Sequence, residues 1–250
     1  MLKRVVRFGA VYWHGACHAL NVFSIGLRSS QNRVLVNQIA AHSGYRTVAP
    51  KIPEISPDEL AQSDTPMRML SLEIAEGNVN ALELAIINKL TADRSPRKAF
   101  EFGTFDGRTT LNLAANCGGT IYTLDLPADK LDSTALRIEP ADEVYVTKDF
   151  SGSRFAGNVY SDRIVQLYGD SATFDYSPYL GSMDLVFVDA SHSYEYLMSD
   201  NRNALKLLAP RGVILWHDYA AWDGVTRALN ELSSTGTDFR GLRWIKAQAW

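Results

Sequence analysis

Two aspartates and two histidines fall in two short runs, Asp189-Ala190-Ser191-His192 and His217-Asp218, each directly after an apolar stretch of strand length. Carboxylates and imidazoles grouped in this way can hold a divalent cation or move a proton. A further carboxylate, Asp125, follows the run Thr120 to Leu124 and lies 22 residues after Gly103. That spacing suits an acid that accepts hydrogen bonds from both hydroxyls of a ribose. Gly103 and Gly107 stand in the run Glu101 to Thr110, where glycines let the backbone approach a ligand and a helix starting near Arg108 would present its N-terminus. The spacing is GxxxG rather than GxGxxG, and no third glycine follows Gly107, so a dinucleotide pyrophosphate would be poorly cradled. Gly169, Asp170 and Ser171 offer a small residue and two polar ones that could flank a planar base.

The elements that would position these residues can be read from the same stretch. Short apolar runs bounded by turn residues cover Lys98 to Phe102, Thr120 to Leu124, Ile164 to Leu167, Asp184 to Val188 and Val213 to Trp216, with helical periods between most of them. Leu82, Ile86 and Leu90 recur every four residues, Asn80 with Glu83 has the form of a capping box, and Pro96 closes that helix. Tyr194, Leu197, Asn201, Ala204, Leu205 and Leu208 share a later helical face, followed by a turn at Pro210 to Gly212. This rhythm predicts an α/β, Rossmann-like fold: a mostly parallel sheet of five strands flanked by helices, with an N-terminal helical extension. In such sheets ligands sit outside the carboxyl ends of the strands, where each chemical residue named above falls. The polar connection 145–163 has the length of a lid or binding loop, or of a plain surface excursion. A last helix carries Val225, Leu229 and Leu232, and the segment Leu242 to Trp250 suffices for one closing strand rather than an antiparallel pair.

With 46% hydrophobic and 21% charged residues in 250, the chain can bury the core of one large domain plus a short extension. Four prolines between Pro50 and Pro66 mark a linker. Residues 1–66 are therefore read as an N-terminal arm and linker, and 67–250 as the domain that carries the chemistry. A formal charge of -3 lacks the electrostatic footprint of a nucleic-acid binder, which favours a small-molecule or saccharide partner. Cys17 and Cys117 form neither a metal-ligand spacing nor a disulfide framework, so a reducing, cytoplasmic setting is expected. The apolar stretch from Arg4 to Leu27 is interrupted by His14 and His18 and reads poorly as a spanning helix or signal peptide. No membrane contact is expected of it; it reads as a helical arm packing on its own domain or on a second subunit of a homodimer.

The runs EFGTFDGRTT, LDLP, YGDS, VFVDASHSYEY and GVILWHDY together resemble the bacterial class I S-adenosylmethionine-dependent methyltransferases. They are most similar to the branch related to catechol-type and macrolide-sugar O-methyltransferases, over about residues 76 to 219. The resemblance implies S-adenosylmethionine as cofactor and transfer of its methyl group to a hydroxyl of a small molecule or saccharide. It implies that Glu101, Gly103 and Gly107 surround the methionine part of the cofactor, that Asp125 binds the ribose, and that Asp170 and Ser171 lie beside adenine. Glu76, Gly77, Asn78 and Val79 resemble the segment that closes over the cofactor. Asp189 and Asp218 match a site for magnesium or manganese, with His192 in the place of the general base. Metal-dependent relatives supply a third ligand as Asn just after the second Asp or Glu just before it; here Tyr219 and His217 stand there. His217 could still ligate, and imidazole suits manganese, iron or zinc better than magnesium.

An alcohol is a poor nucleophile near neutral pH, so a base or a metal must act on it, and His192 and Asp189 are the expected catalytic pair. Tyr194, Trp216 and Tyr219, with Tyr196 and Trp222 nearby, are expected to shape an acceptor pocket. Two other readings compete: an NAD-linked oxidoreductase, for which no second half-site is visible, and a domain that binds a nucleoside cofactor without turnover.

Overall fold

The structure, a computed structural model, describes residues 48–60, 63–73, 77–148, 150–236, 240–242 and 248–249, together with positions 13, 16, 17, 20, 21 and 24. The chain divides into two compact units, 1–47 and 48–250. The six described positions of the first unit are helical. The rest of the arm, and with it the expected second-subunit contact, lies outside the described residues.

The second unit is built on one sheet. Its parallel core comprises β2 (Lys98–Phe102), β3 (Thr120–Asp125), β4 (Ile164–Tyr168), β5 (Met183–Val188) and β6 (Leu208–His217), the five strands expected from the apolar runs. Short edge strands β1 (Glu54–Ile55), β7 (Gly241–Leu242) and β8 (Gln248–Ala249) complete it, in the order β1-β7-β8-β6-β5-β2-β3-β4. The single closing strand expected after the last helix is in fact a pair: β8 runs antiparallel to both β6 and β7. Strands of two residues leave almost no periodic signal, which is why only one could be read. Glu54 and Ile55, placed by sequence inside the linker, pair in parallel with Gly241 and Leu242. β6 also starts earlier than Val213: Leu208 already pairs with Met183, and the Pro210 to Gly212 turn becomes an irregularity within the strand.

Helices cover both faces. On one lie α1 (Ala81–Arg94) and α2 (Arg108–Asn116), packed over Leu84, Ile87, Leu90, Leu113, Leu185, Phe187 and Leu215. The other is covered by α3 (Tyr194–Leu207) and α4 (Asp223–Ser233), over Phe100, Phe102, Val186, Val188, Ile214 and Trp216. Neighbouring residues of each strand belong to opposite clusters, as the two-residue period of a strand requires. The capping box forms as read: Asn80 accepts from the backbone of Leu82 and Glu83, and Glu83 accepts from that of Asn80. Among the described residues, no helix is long and apolar enough to cross a membrane.

The strand order reverses between β2 and β5, with β3 and β4 following on one side and β6 on the other. A crevice therefore opens at their carboxyl ends, and the candidate residues line it.

Candidate active site

A crevice partly open to solvent lies at this switch point, with Gly103, Asp125, Ile138, Tyr145, Ser171 and Asp189 among its walls. Gly103 closes β2 with φ +89°, and a Cβ there would stand 2.0 Å from the Asp189 carbonyl oxygen. Gly107, at φ +84°, leaves room for the Phe155 ring, which a Cβ would meet at 2.6 Å. Both glycines of the motif are therefore required by close approach.

Asp125 sits at the cavity wall at the end of β3, 7% exposed. Its Oδ2 accepts from the Ser151 hydroxyl and faces the Lys148 ammonium at 2.7 Å. Both partners come from the long polar connection, which lies on the glycine turn: Gly152 N–H donates to the Phe105 carbonyl, and Arg154 pairs with Asp106 and Glu73. Asp170 and Ser171 also line the cavity. The Asp170 carboxylate accepts from Tyr196 Oη and from the backbone of Ala172 and Ala135, so it organises its own turn.

Three expected cofactor contacts stand one layer back. Glu101 is 1% exposed, and its carboxyl is bonded to the Thr110 and Thr123 hydroxyls beneath the turn. Burial raises its pKa to about 8, despite those two bonds, and the nearby charges of Asp189 and Asp125 add to the rise. Gly77 packs against the Tyr145 and Phe105 rings, and Asn78 donates to Asp106. Phe105 and Tyr145 in turn line the cavity, so this segment braces the wall. Glu76 lies outside the described residues.

Beside the cavity runs a chain of alternating carboxylates and imidazoles. Asp189 follows β5, His217 ends β6, and Asp218 adopts φ +63°, a left-handed conformation unusual for a side-chain-bearing residue. One ligand atom from each of these three lies within 4.8 Å of the others, the one such cluster among the described residues. His217 Nδ1 stands 3.1 Å from both Asp189 Oδ1 and Asp218 Oδ2, without the alignment of a hydrogen bond. Its Nε2 faces Glu83 Oε2 at 3.3 Å. An imidazole nitrogen 3.1 Å from two carboxylate oxygens is a donor set that, with the nitrogen deprotonated, fits a cation. Burial alone would lower the His217 pKa; Asp218 and Asp189 overcome it and hold it well above 6.5. Burial would likewise raise Asp218, but the two histidines drive it far below the usual carboxylate range.

His192 is held at both ring nitrogens, Nδ1 by Asp142 Oδ1 and Nε2 by Asp218 Oδ2 at 2.9 Å. Its ring stacks on Trp222, with centroids 4.2 Å apart. Burial disfavours its charged form, yet Asp142 and Asp218 outweigh that and raise its pKa to about 10. In this arrangement His192 is an imidazolium, and it must lose a proton before it can accept one.

The three expected acceptor-pocket aromatics point elsewhere. Trp216 is 5% exposed and donates through Nε1 to Asn201 in the core. Tyr219 accepts from the backbone of Lys51 and Ile52 and donates to Asn230, fixing the start of this unit. Tyr194 donates to Glu231 and lies under the Arg227 guanidinium. The aromatic rings that do border His192 are Trp222 and Tyr145. Asp142, Glu83, Lys148 and Ser151 complete the constellation without being expected as site residues: Glu83 is legible only as a helix cap, and Lys148 and Ser151 only as part of the polar connection 145–163.

Residues 100–219 match the family described as Methyltransferase domain. The fold is similar to the O-methyltransferase TomG of Streptomyces achromogenes, involved in tomaymycin synthesis and solved in complex with SAM. The two are 20% identical with a TM-score of 0.51, covering 88% of this chain and 96% of that one. It is also similar to the SAH-bound methyltransferase PaMTH1 of Podospora anserina, at 18% identity and TM-score 0.50 over 70% of this chain and 79% of that one. At these identities the likeness concerns the fold. No curated protein matches the sequence.

Proposed function

We propose that this chain, whose residues 100–219 match the Methyltransferase domain family, is a class I, S-adenosylmethionine-dependent methyltransferase that methylates a hydroxyl of a small molecule or saccharide. The observation that carries the reading is His192, held by Asp142 and Asp218 beside a cavity that Asp142 itself lines. The glycine cradle at Gly103 and the Asp125 carboxylate suit a nucleoside with a compact tail. When bound, S-adenosylmethionine supplies an electrophilic methyl group on a sulfonium, which becomes a thioether once the methyl is lost.

In this reading Asp125 holds the ribose hydroxyls, Gly169 to Ser171 flank the base, and the turn at Gly103 lets the methionine end lie against backbone. Phe105, Tyr145 and Ile138 keep water from the transfer path. From the state in which Nε2 has given up its proton, the acceptor hydroxyl passes its own proton to His192 Nε2 as its oxygen bonds to the methyl carbon and the sulfur–methyl bond breaks. Asp189, His217 and Asp218 would hold a divalent cation, which would neutralise Asp218, polarise an acceptor oxygen and leave His192 with one carboxylate instead of two. The imidazole in that set favours manganese over magnesium.

The test is methyl transfer from labelled S-adenosylmethionine to a panel of phenols, catechols and free or linked sugars, with manganese, magnesium or chelator. Methylated hydroxyl product that disappears in His192→Gln is expected. Product formed at nitrogen or sulfur, or undiminished turnover in His192→Gln, would overturn the reading.

A further inference from the structure

Asp142 immediately precedes a single helical turn, Glu143–Val146, as its N-cap. An aspartate there ordinarily turns its carboxylate back on the first free N–H groups of the helix, a contact worth about 1 kcal/mol. Asp142 makes no such side-chain cap. Both its oxygens point instead to residues about 50 positions further on. Oδ2 accepts from Ser191 Oγ at 2.7 Å and from the His192 backbone N–H at 3.0 Å, and Oδ1 meets His192 Nδ1. The carboxylate is buried, and its backbone N–H is separately satisfied by Glu139. A local stabilising contact has been given up for three bonds to the loop after β5.

We propose that Asp142 is the positioning residue for His192: its carboxylate, bonded to ring Nδ1 and to the His192 backbone N–H, fixes the ring's orientation and turns Nε2 toward Asp218. This rests on the reading of His192 as the proton acceptor. Ile138, Tyr145 and Val146 of the same segment line the cofactor cavity.

The experiment needs no acceptor. Protein labelled with ¹⁵N-histidine is observed by NMR with S-adenosylhomocysteine as the sole added ligand, and the His192 ring signals are assigned by their loss in His192→Gln. A Nδ1–H proton strongly deshielded by its carboxylate partner is expected. Asp142→Asn should move it upfield or lose it to exchange, while S-adenosylhomocysteine still binds and the melting temperature holds. Asp142→Glu, which keeps the charge, should restore part of the shift. An unchanged ring signal in Asp142→Asn would overturn the proposal, as would joint collapse of stability and S-adenosylhomocysteine binding in both variants, the mark of a plain wall residue. Full turnover by His192→Gln would instead sink the base reading on which the proposal rests.

Discussion

Lys148 Nζ stands 2.7 Å from Asp125 Oδ2, and the Ser151 hydroxyl donates to the same oxygen. The carboxylate proposed to bind a ribose is thus engaged by its own loop, and a diol that uses both oxygens must displace one partner. Ser151→Ala should tighten S-adenosylhomocysteine binding about 3- to 10-fold by calorimetry, the worth of one such hydrogen bond. Asp125→Ala should weaken it by about two orders of magnitude, because two bonds to a charged acceptor vanish. Equal affinities for wild type and Asp125→Ala would exclude Asp125 from the site.

His192→Ala is expected to lose turnover by about 10²- to 10⁴-fold, the usual weight of a general base. Its affinity for S-adenosylhomocysteine should remain close to wild type, since His192 stands behind Asp142 and Tyr145 rather than in the cavity wall. Loss of both quantities in parallel would point to a folding defect.

Gly103→Ala should destabilise the protein by about 2–4 kcal/mol, from the left-handed backbone and the overlap with the Asp189 carbonyl. Thermal unfolding would record it. Gly157→Ala provides the contrast: that glycine has φ +71° but nothing within 4 Å of a Cβ, so only the backbone strain remains.

Buried Glu101 gives a pH dependence with a definite sign. Its carboxyl titrates near 8 in the fold against 4.5 ordinarily. The folded state therefore binds the proton more tightly, and stability present below about pH 4.5 is lost as pH rises through 8. Glu101→Gln should flatten that slope and melt above wild type beyond pH 8, where the wild-type chain must bury a charge. Identical slopes in the two proteins would show that Glu101 keeps its usual pKa.

Manganese should bind more tightly than magnesium, and both should be lost in Asp189→Asn and Asp218→Asn. Manganese relaxation or calorimetry on the protein alone reads this without any acceptor. A site that prefers magnesium, or that survives both substitutions, would place the cation elsewhere.

The parallel strands and the residues at their ends were legible because both signals are local: an apolar run announces its strand, and the next polar residue announces the rim. What escaped was brought in from a distance. Asp142 lies in a segment with no periodicity, and its reach to His192 spans 50 positions, which no window of sequence reports. Trp216 was misjudged despite an available signal. Alternation along β6 assigns Ile214 and Trp216 to one face and Leu215 to the other, so a tryptophan two places after Ile214 belongs with the core. The resemblance implies that Glu101 lies around the methionine end of the cofactor, yet its side chain points down toward Thr110 rather than out to the crevice. Burial direction at the last residues of a strand depends on the packing of the next helix, and that is tertiary information.

Glu83 makes one carboxylate answer to two demands. As the third residue of α1 it closes the capping box on Asn80, and the same Oε2 faces His217 at the proposed cation cluster. Selection on helix stability and selection on the reaction cannot act on this position separately. Redesign of α1 for thermal tolerance, changing Glu83 to another good helix former, would leave a folded protein whose His217 has lost its orienting partner. A lineage drifting at Glu83 would shed the chemistry before it shed the fold.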